Sequence, residues 1–259
     1  MADGAQRLSE WGIGTALPFW RGRGWDARHG GFLESLDLAG NPVDGDVRRV
    51  RVQARQVHVF ALAHAAGWVD ALDLAEEGFA LLKQRACSPD ARPGWVHTLH
   101  PDGRAENPAR DLYDHAFILL ALSSLYRVTG KSDYLTEAAE VFGFLDGWMR
   151  SPAGGFEEAI GAGRLPRRQN PHMHLFEALL DWHQTTGDPI FLERARVVKA
   201  LFDRVFFDAD TGVVREYFEA DWSRIPGPKG ETIEPGHMCE WIWLLDAYAR
   251  QTGEAFDTA

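Results

Sequence analysis

The chain has 259 residues, with 27 Lys and Arg against 38 Asp and Glu, and its net charge of -11 repels nucleic acid and anionic lipid surfaces. Ten Trp, 15 Phe and five Tyr are enough to fill a core and to line a pocket as well. The opening Met1 to Arg7 has no secretory pattern and no run of about 18 apolar residues occurs, so a soluble, cytoplasmic protein is expected; two cysteines, Cys87 and Cys239, fit a reducing compartment.

In chain order, a helix is predicted near 4–18, followed by the turn Gly30-Gly31-Phe32-Leu33. Comparable turns recur at Pro93-Gly94-Trp95-Val96, Gly154-Gly155-Phe156-Glu157 and Thr211-Gly212-Val213-Val214. Their second residues, at 31, 94, 155 and 212, step by 63, 61 and 57. After each turn comes a strongly apolar helix, predicted at 47–66, 111–128, 171–186 and 236–252, and buried on most sides. Amphipathic partners follow at 69–86, 131–149 and 189–206. Gly67, Gly130, Gly187 and Gly253 mark the helix ends and repeat the same period. Two markers agreeing on a period near 60 predict an all-α fold, an (α/α)6 toroid with an inner and an outer ring. Six hairpins of this period would need about 360 residues, so four are expected here, in one domain spanning 1–259 that is incomplete at its C-terminal end. The connections 88–110, 150–169 and 207–235 are long enough to be functional loops.

Parallel inner helices gather their N-termini around one mouth. His115, His172, His174 and His237 fall at those N-termini, and Arg49, Arg51 and Arg55 lie in the first two turns of the first inner helix. In His174-Leu-Phe-Glu177 and His237-Met-Cys-Glu240 the i,i+3 spacing puts imidazole and carboxylate on one face, where the acid can fix the tautomer of the ring. A helix N-terminus also disfavours imidazolium, which predicts a neutral base. Asn170-Pro171 reads as N-cap and first helical residue, aiming His172 differently from His174. His64 and His183, late in their helices, read as structural. There is no HExxH pattern, no Gly-rich loop after a strand and no nucleophile elbow, so neither metal nor cofactor is expected.

Three blocks carry a family resemblance: Arg51-Val-Gln-Ala-Arg55-Gln56, Gln169-Asn170-Pro-His172-Met-His174-Leu-Phe-Glu177-Ala178 and Glu234-Pro-Gly236-His237-Met-Cys-Glu240-Trp241. Together they resemble the N-acylglucosamine 2-epimerase superfamily, which includes mannose isomerases and cellobiose 2-epimerases. The resemblance implies a sugar isomerase or 2-epimerase working on a free aldose through a cis-enediolate, with a small sugar as partner and no cofactor. It implies His237 as an acid/base supported by Glu240, His174 in binding or ring opening, and Arg55 on substrate oxygens. The family's second acid/base histidine is expected beyond Ala259. His115, His172, Asn170, Glu177 and Trp241 complete the candidate sugar site, with Phe176 and Trp243 as further stacking candidates. A homo-oligomer is compatible with the sequence. Competing expectations are a toroidal glycoside hydrolase using Asp111, Asp114, Glu177 or Glu240, and a non-catalytic binding protein.

Overall fold

Leu112–Thr129 is apolar on nearly every side and so has no face to give to water. In the computed structural model, which describes residues 2–43, 45–161 and 166–254, this helix is buried without a break from Asp114 to Leu125. It is α5 of nine α-helices among the described residues. Before it come α1 (Ala2–Trp11), α2 (Leu17–Arg23), α3 (Val50–Ala65) and α4 (Leu72–Ala86), and after it α6 (Ser132–Phe144), α7 (Gln169–Thr186), α8 (Pro189–Leu201) and α9 (Pro235–Thr252). A π-helical turn, Gly12–Ala16, joins α1 to α2, and others extend α6 and α8 over Leu145–Met149 and Phe202–Phe206.

The inner helices pack in sequence, α3 on α5, α5 on α7 and α7 on α9, with α4, α6 and α8 outside them. The architecture is all-α, an arc of an (α/α)6 toroid. Ala54, Val57, Ala116, Leu119, Met173 and Phe176 fill the interface between inner helices and the outer layer, each with essentially no exposed surface. On α9, Trp241, Leu244 and Leu245 face the core, whereas Ile242 and Trp243 stay 57% and 56% exposed. Among the described residues no helix is long and apolar enough to cross a membrane, and no group of three or more His, Cys, Asp or Glu could hold a metal ion.

The long connections are not plain loops. Arg48–Arg49, just ahead of α3, pairs antiparallel with Thr98–Leu99; Arg110–Asp111, ahead of α5, with Ala159–Ile160; and Arg167–Arg168, ahead of α7, with Tyr217–Phe218. The inner helices α3, α5 and α7 are thus each entered through a strand clamped by the following repeat. The N-termini show why. A first helical N–H has no partner inside its own helix, and here Val50 N donates to His97 O at 3.1 Å, Leu112 N to Glu158 O at 3.1 Å and Gln169 N to Glu216 O at 3.2 Å. This replaces the cap expected at Asn170: α7 begins at Gln169, with Arg168 before it and no side-chain cap.

Candidate active site

The same clamp delivers side chains to the mouth. Glu34, His97, Glu158 and Glu216 occupy one register of the repeat, three or four residues after Gly31, Gly94, Gly155 and Gly212. Glu34 accepts from Arg49 N at 2.9 Å and Glu158 from Arg168 N at 3.0 Å, and each also pairs with that arginine's guanidinium. Burial pushes the Glu158 carboxyl up to about 7. His97 Nδ1 donates to the fully buried Asp114 at 2.6 Å, which raises the imidazole above its ordinary range.

His237, in the first turn of α9, is held on both ring nitrogens. Nδ1 lies 3.0 Å from Glu216 Oε1, and Nε2 lies 3.1 Å from Asn170 Nδ2. Beside a carboxylate, which only accepts, Nδ1 must carry the hydrogen, leaving Nε2 with the lone pair. The expectation of a ring held neutral by the helix N-terminus is corrected here, because the Glu216 carboxylate outweighs that effect and holds His237 above the ordinary imidazole range. Glu240 is also not the ring's hydrogen-bond partner. Its Oε2 lies 3.8 Å from His174 Nε2, and it acts on His237 only at longer range.

For His174 the i,i+3 reasoning holds: Nδ1 is 2.8 Å from Glu177 Oε2. The ring packs against Phe117 and Tyr113, with centroids 4.7 and 5.0 Å away, and the Arg55 guanidinium sits 4.6 Å from the Phe117 centroid. Arg55, Phe117, His174 and Glu240 share one register on α3, α5, α7 and α9, so they form a continuous band around the inner wall. Arg49, Arg51 and Arg168 are each matched by carboxylates, namely Glu34, Asp114, and Glu158 with Asp111. Arg55 is exposed and among the described residues has no carboxylate partner.

Three expected sugar contacts are corrected. His115 has no exposed surface; its Nδ1 donates to Asp111 O at 2.7 Å and its Nε2 accepts from Trp95 N at 3.1 Å. His172 is equally enclosed, and its Nε2 accepts from Phe156 N at 3.1 Å. Burial lowers the two imidazoles to about 4 and about 3. Gln53 does the same work in the first repeat, accepting from Phe32 N at 2.9 Å. These three side chains pin the glycine turns, and a Cβ on Gly155 (φ +67°) would come within 2.8 Å of His172 Nε2. Trp241 is 1% exposed, packed on Phe202 at 4.4 Å and on the buried Phe176, so neither ring faces a sugar. Asp111 caps α5 by accepting from Tyr113 N at 2.8 Å, and Asp114 is spent on His97 and Arg51, which removes two carboxylates from the hydrolase alternative. Sequence reasoning missed Glu216, His97, Tyr113 and Phe117. The repeat register that links 34, 97, 158 and 216 is the signal that reveals the first two.

Residues 30–258 match the family model described as N-acylglucosamine 2-epimerase (GlcNAc 2-epimerase). A Rhizobium meliloti protein named mannose-6-phosphate isomerase is 39% identical, over 97% of this chain and 65% of its own length. The N-acylglucosamine 2-epimerase of Rattus norvegicus is 26% identical, over 93% of this chain and 59% of its own. Among solved structures, cellobiose 2-epimerase from Spirochaeta thermophila superposes with a TM-score of 0.84 at 27% identity, covering 96% of this chain and 64% of that one. The chain therefore spans less than two thirds of the length of these relatives.

Proposed function

The chain belongs to the N-acylglucosamine 2-epimerase family, and from that premise we propose that its protein isomerises or 2-epimerises a free aldose of the mannose or N-acylglucosamine type by histidine acid/base chemistry. The observation that carries the proposal is His237, a partly exposed ring with one nitrogen tied to a buried carboxylate and the other 3.1 Å from the Asn170 amide.

The chemistry is proton abstraction next to an aldehyde. With the sugar ring open, His237 Nε2 takes the C2 proton and the C2–H electron pair flows toward C1, placing negative charge on O1 of a cis-enediolate. A base strengthened by its carboxylate neighbour suits this step. Arg55, with no carboxylate partner among the described residues, supplies a planar fork of donors for the developing oxyanion. His174, oriented by Glu177 and facing Glu240, is placed to hold substrate hydroxyls or assist ring opening. Returning the proton to C1, with the O2 proton passing to O1 as the C2 carbonyl forms, gives the ketose. Delivery to the opposite face of C2, assigned to the family's second histidine, gives the epimer.

The substrate is read as an unphosphorylated sugar, since Arg49, Arg51 and Arg168 are already matched by carboxylates and Arg55, the mouth arginine left without one among the described residues, is assigned to the reacting oxygen. Conversion assays with D-mannose, N-acetylglucosamine and mannose 6-phosphate test this reading. Ketose or 2-epimer should form from a neutral sugar, with kcat/KM at least tenfold higher than for the phosphate. Turnover of the phosphate alone would contradict the substrate class, and release of reducing sugar from a glycoside would contradict the reaction.

A further inference from the structure

Glu216 lies 21 residues before His237, outside the helix that carries it. It is 3% exposed, so its charge must be met by donors within reach. Gln169, with no exposed surface, supplies an amide nitrogen 3.1 Å from both carboxylate oxygens. The orientation of that amide follows from chemistry: Trp241 Nε1, which only donates, lies 2.6 Å from Gln169 Oε1, so the NH2 group must face Glu216. The backbone is clamped as well, with Glu216 O accepting from Gln169 N at 3.2 Å and Glu216 N donating to Thr232 O at 3.3 Å. The Trp241–Gln169–Glu216 chain therefore ends on a single acceptor aimed at His237 Nδ1, 3.0 Å away.

We propose that Glu216 is the positioning residue of the site: by accepting from Nδ1–H of His237 it selects one tautomer and presents Nε2 as the nitrogen that exchanges a proton with the sugar. This deepens the reading given above and rests on His237 being the acid/base. The acidic groups acting on the ring are Glu216 from the loop and Glu240 and Glu234 from the ends of its own segment, while α7 contributes only the neutral Gln169 and Asn170. Among the acidic groups, Glu216 alone lies within hydrogen-bonding distance of the imidazole; of the neutral ones, Gln169 Nε2 lies 3.2 Å from Nδ1, with its amide hydrogens also facing the Glu216 carboxylate, and Asn170 Nδ2 lies 3.1 Å from Nε2. This role of Glu216 also explains why Trp241, though enclosed, lies in a motif of the site: its indole N–H fixes the amide that fixes the carboxylate.

The test is nitrogen NMR of the 259-residue chain labelled at histidine, with the His237 signal assigned by its loss in His237→Gln. In the wild type, neutral His237 should carry its proton on Nδ1, and its pKa should lie above the ordinary value. Glu216→Gln, which keeps shape and removes charge, should lower that pKa and mix the tautomers, while Glu216→Asp should restore part of both. In the active protein, Glu216→Gln should lower kcat by about 10²-fold or more, since losing the carboxylate behind a catalytic histidine can cost about 10⁴. KM should stay within about threefold, because the lost interaction belongs to the transition state. An unchanged tautomer and pKa in Glu216→Gln would overturn the proposal even where His237→Ala is inactive. Full activity in His237→Ala would instead overturn the acid/base reading, leaving the NMR result to judge the pairing alone. If Glu216→Gln does not fold, the Asp variant and the wild-type tautomer decide: a proton on Nε2 would refute the proposal.

Discussion

His115 and His172 make a quantitative prediction, because both are fully buried acceptors whose imidazoles are lowered to about 4 and about 3. Unfolded, each would bind a proton near the ordinary 6.5, so the unfolded chain holds more protons between about pH 3 and 6.5. Stability from these sites is fully present above 6.5 and is lost as pH falls through that window. At pH 5 each site has lost about 2 kcal/mol (1.5 units at 1.36 kcal/mol each), and the pair about 4 kcal/mol. That is a large share of the roughly 5–15 kcal/mol that separates folded from unfolded domains. Gln53 shows that an amide can hold the same turn without titrating near neutral pH. The His115→Gln/His172→Gln double variant should therefore lose about 4 kcal/mol less than wild type between pH 7.5 and 5.0, and each single variant about half of that. Urea unfolding followed by Trp fluorescence measures the difference, and other titrating groups cancel in the comparison. Equal acid sensitivity in the double variant and the wild type, or imidazoles that titrate near 6.5 in the folded chain, would refute the reasoning.

Arg55→Lys keeps the charge and loses the fork, so turnover should fall strongly while stability stays within about 1 kcal/mol, as read from kcat and a thermal melt; loss of folding with specific activity retained would make Arg55 structural. Ile242 and Trp243 on α9 and Val59 on α3 leave apolar surface open to water, so the 259-residue chain should self-associate or bind a hydrophobic dye, and Trp243→Gln should weaken both. A sharp monomer in sedimentation velocity with no dye binding would contradict this.

Much of the scaffold could be read from the sequence because its period is carried by local signals, glycine turns and helical apolar spacing. Thus α5 and α7 end at Gly130 and Gly187, where a left-handed residue closes each helix. The site was harder to read for a physical reason: its partners are set by the strand clamps, which join residues far apart in sequence. Glu177 is a local neighbour of His174 and was legible from spacing. The same spacing misassigned Glu240, because Glu216 reaches His237 Nδ1 from another repeat. His115 and His172 looked like site residues because histidine at a helix start suggests chemistry. Aligning them with Gln53 in the first repeat shows instead a structural acceptor, filled by whichever side chain can meet a backbone N–H.

The account stands most directly on His237 as the group that moves the substrate proton. The measurement is deuterium uptake from D2O into C1 and C2 of recovered sugar, comparing the wild-type protein with His237→Ala. Wild type should place solvent deuterium at C2 of the aldose or C1 of the ketose. The variant should exchange about 10²–10⁴-fold more slowly, the usual loss for a missing acid/base. Product free of label after many turnovers, or undiminished exchange in His237→Ala, would contradict it.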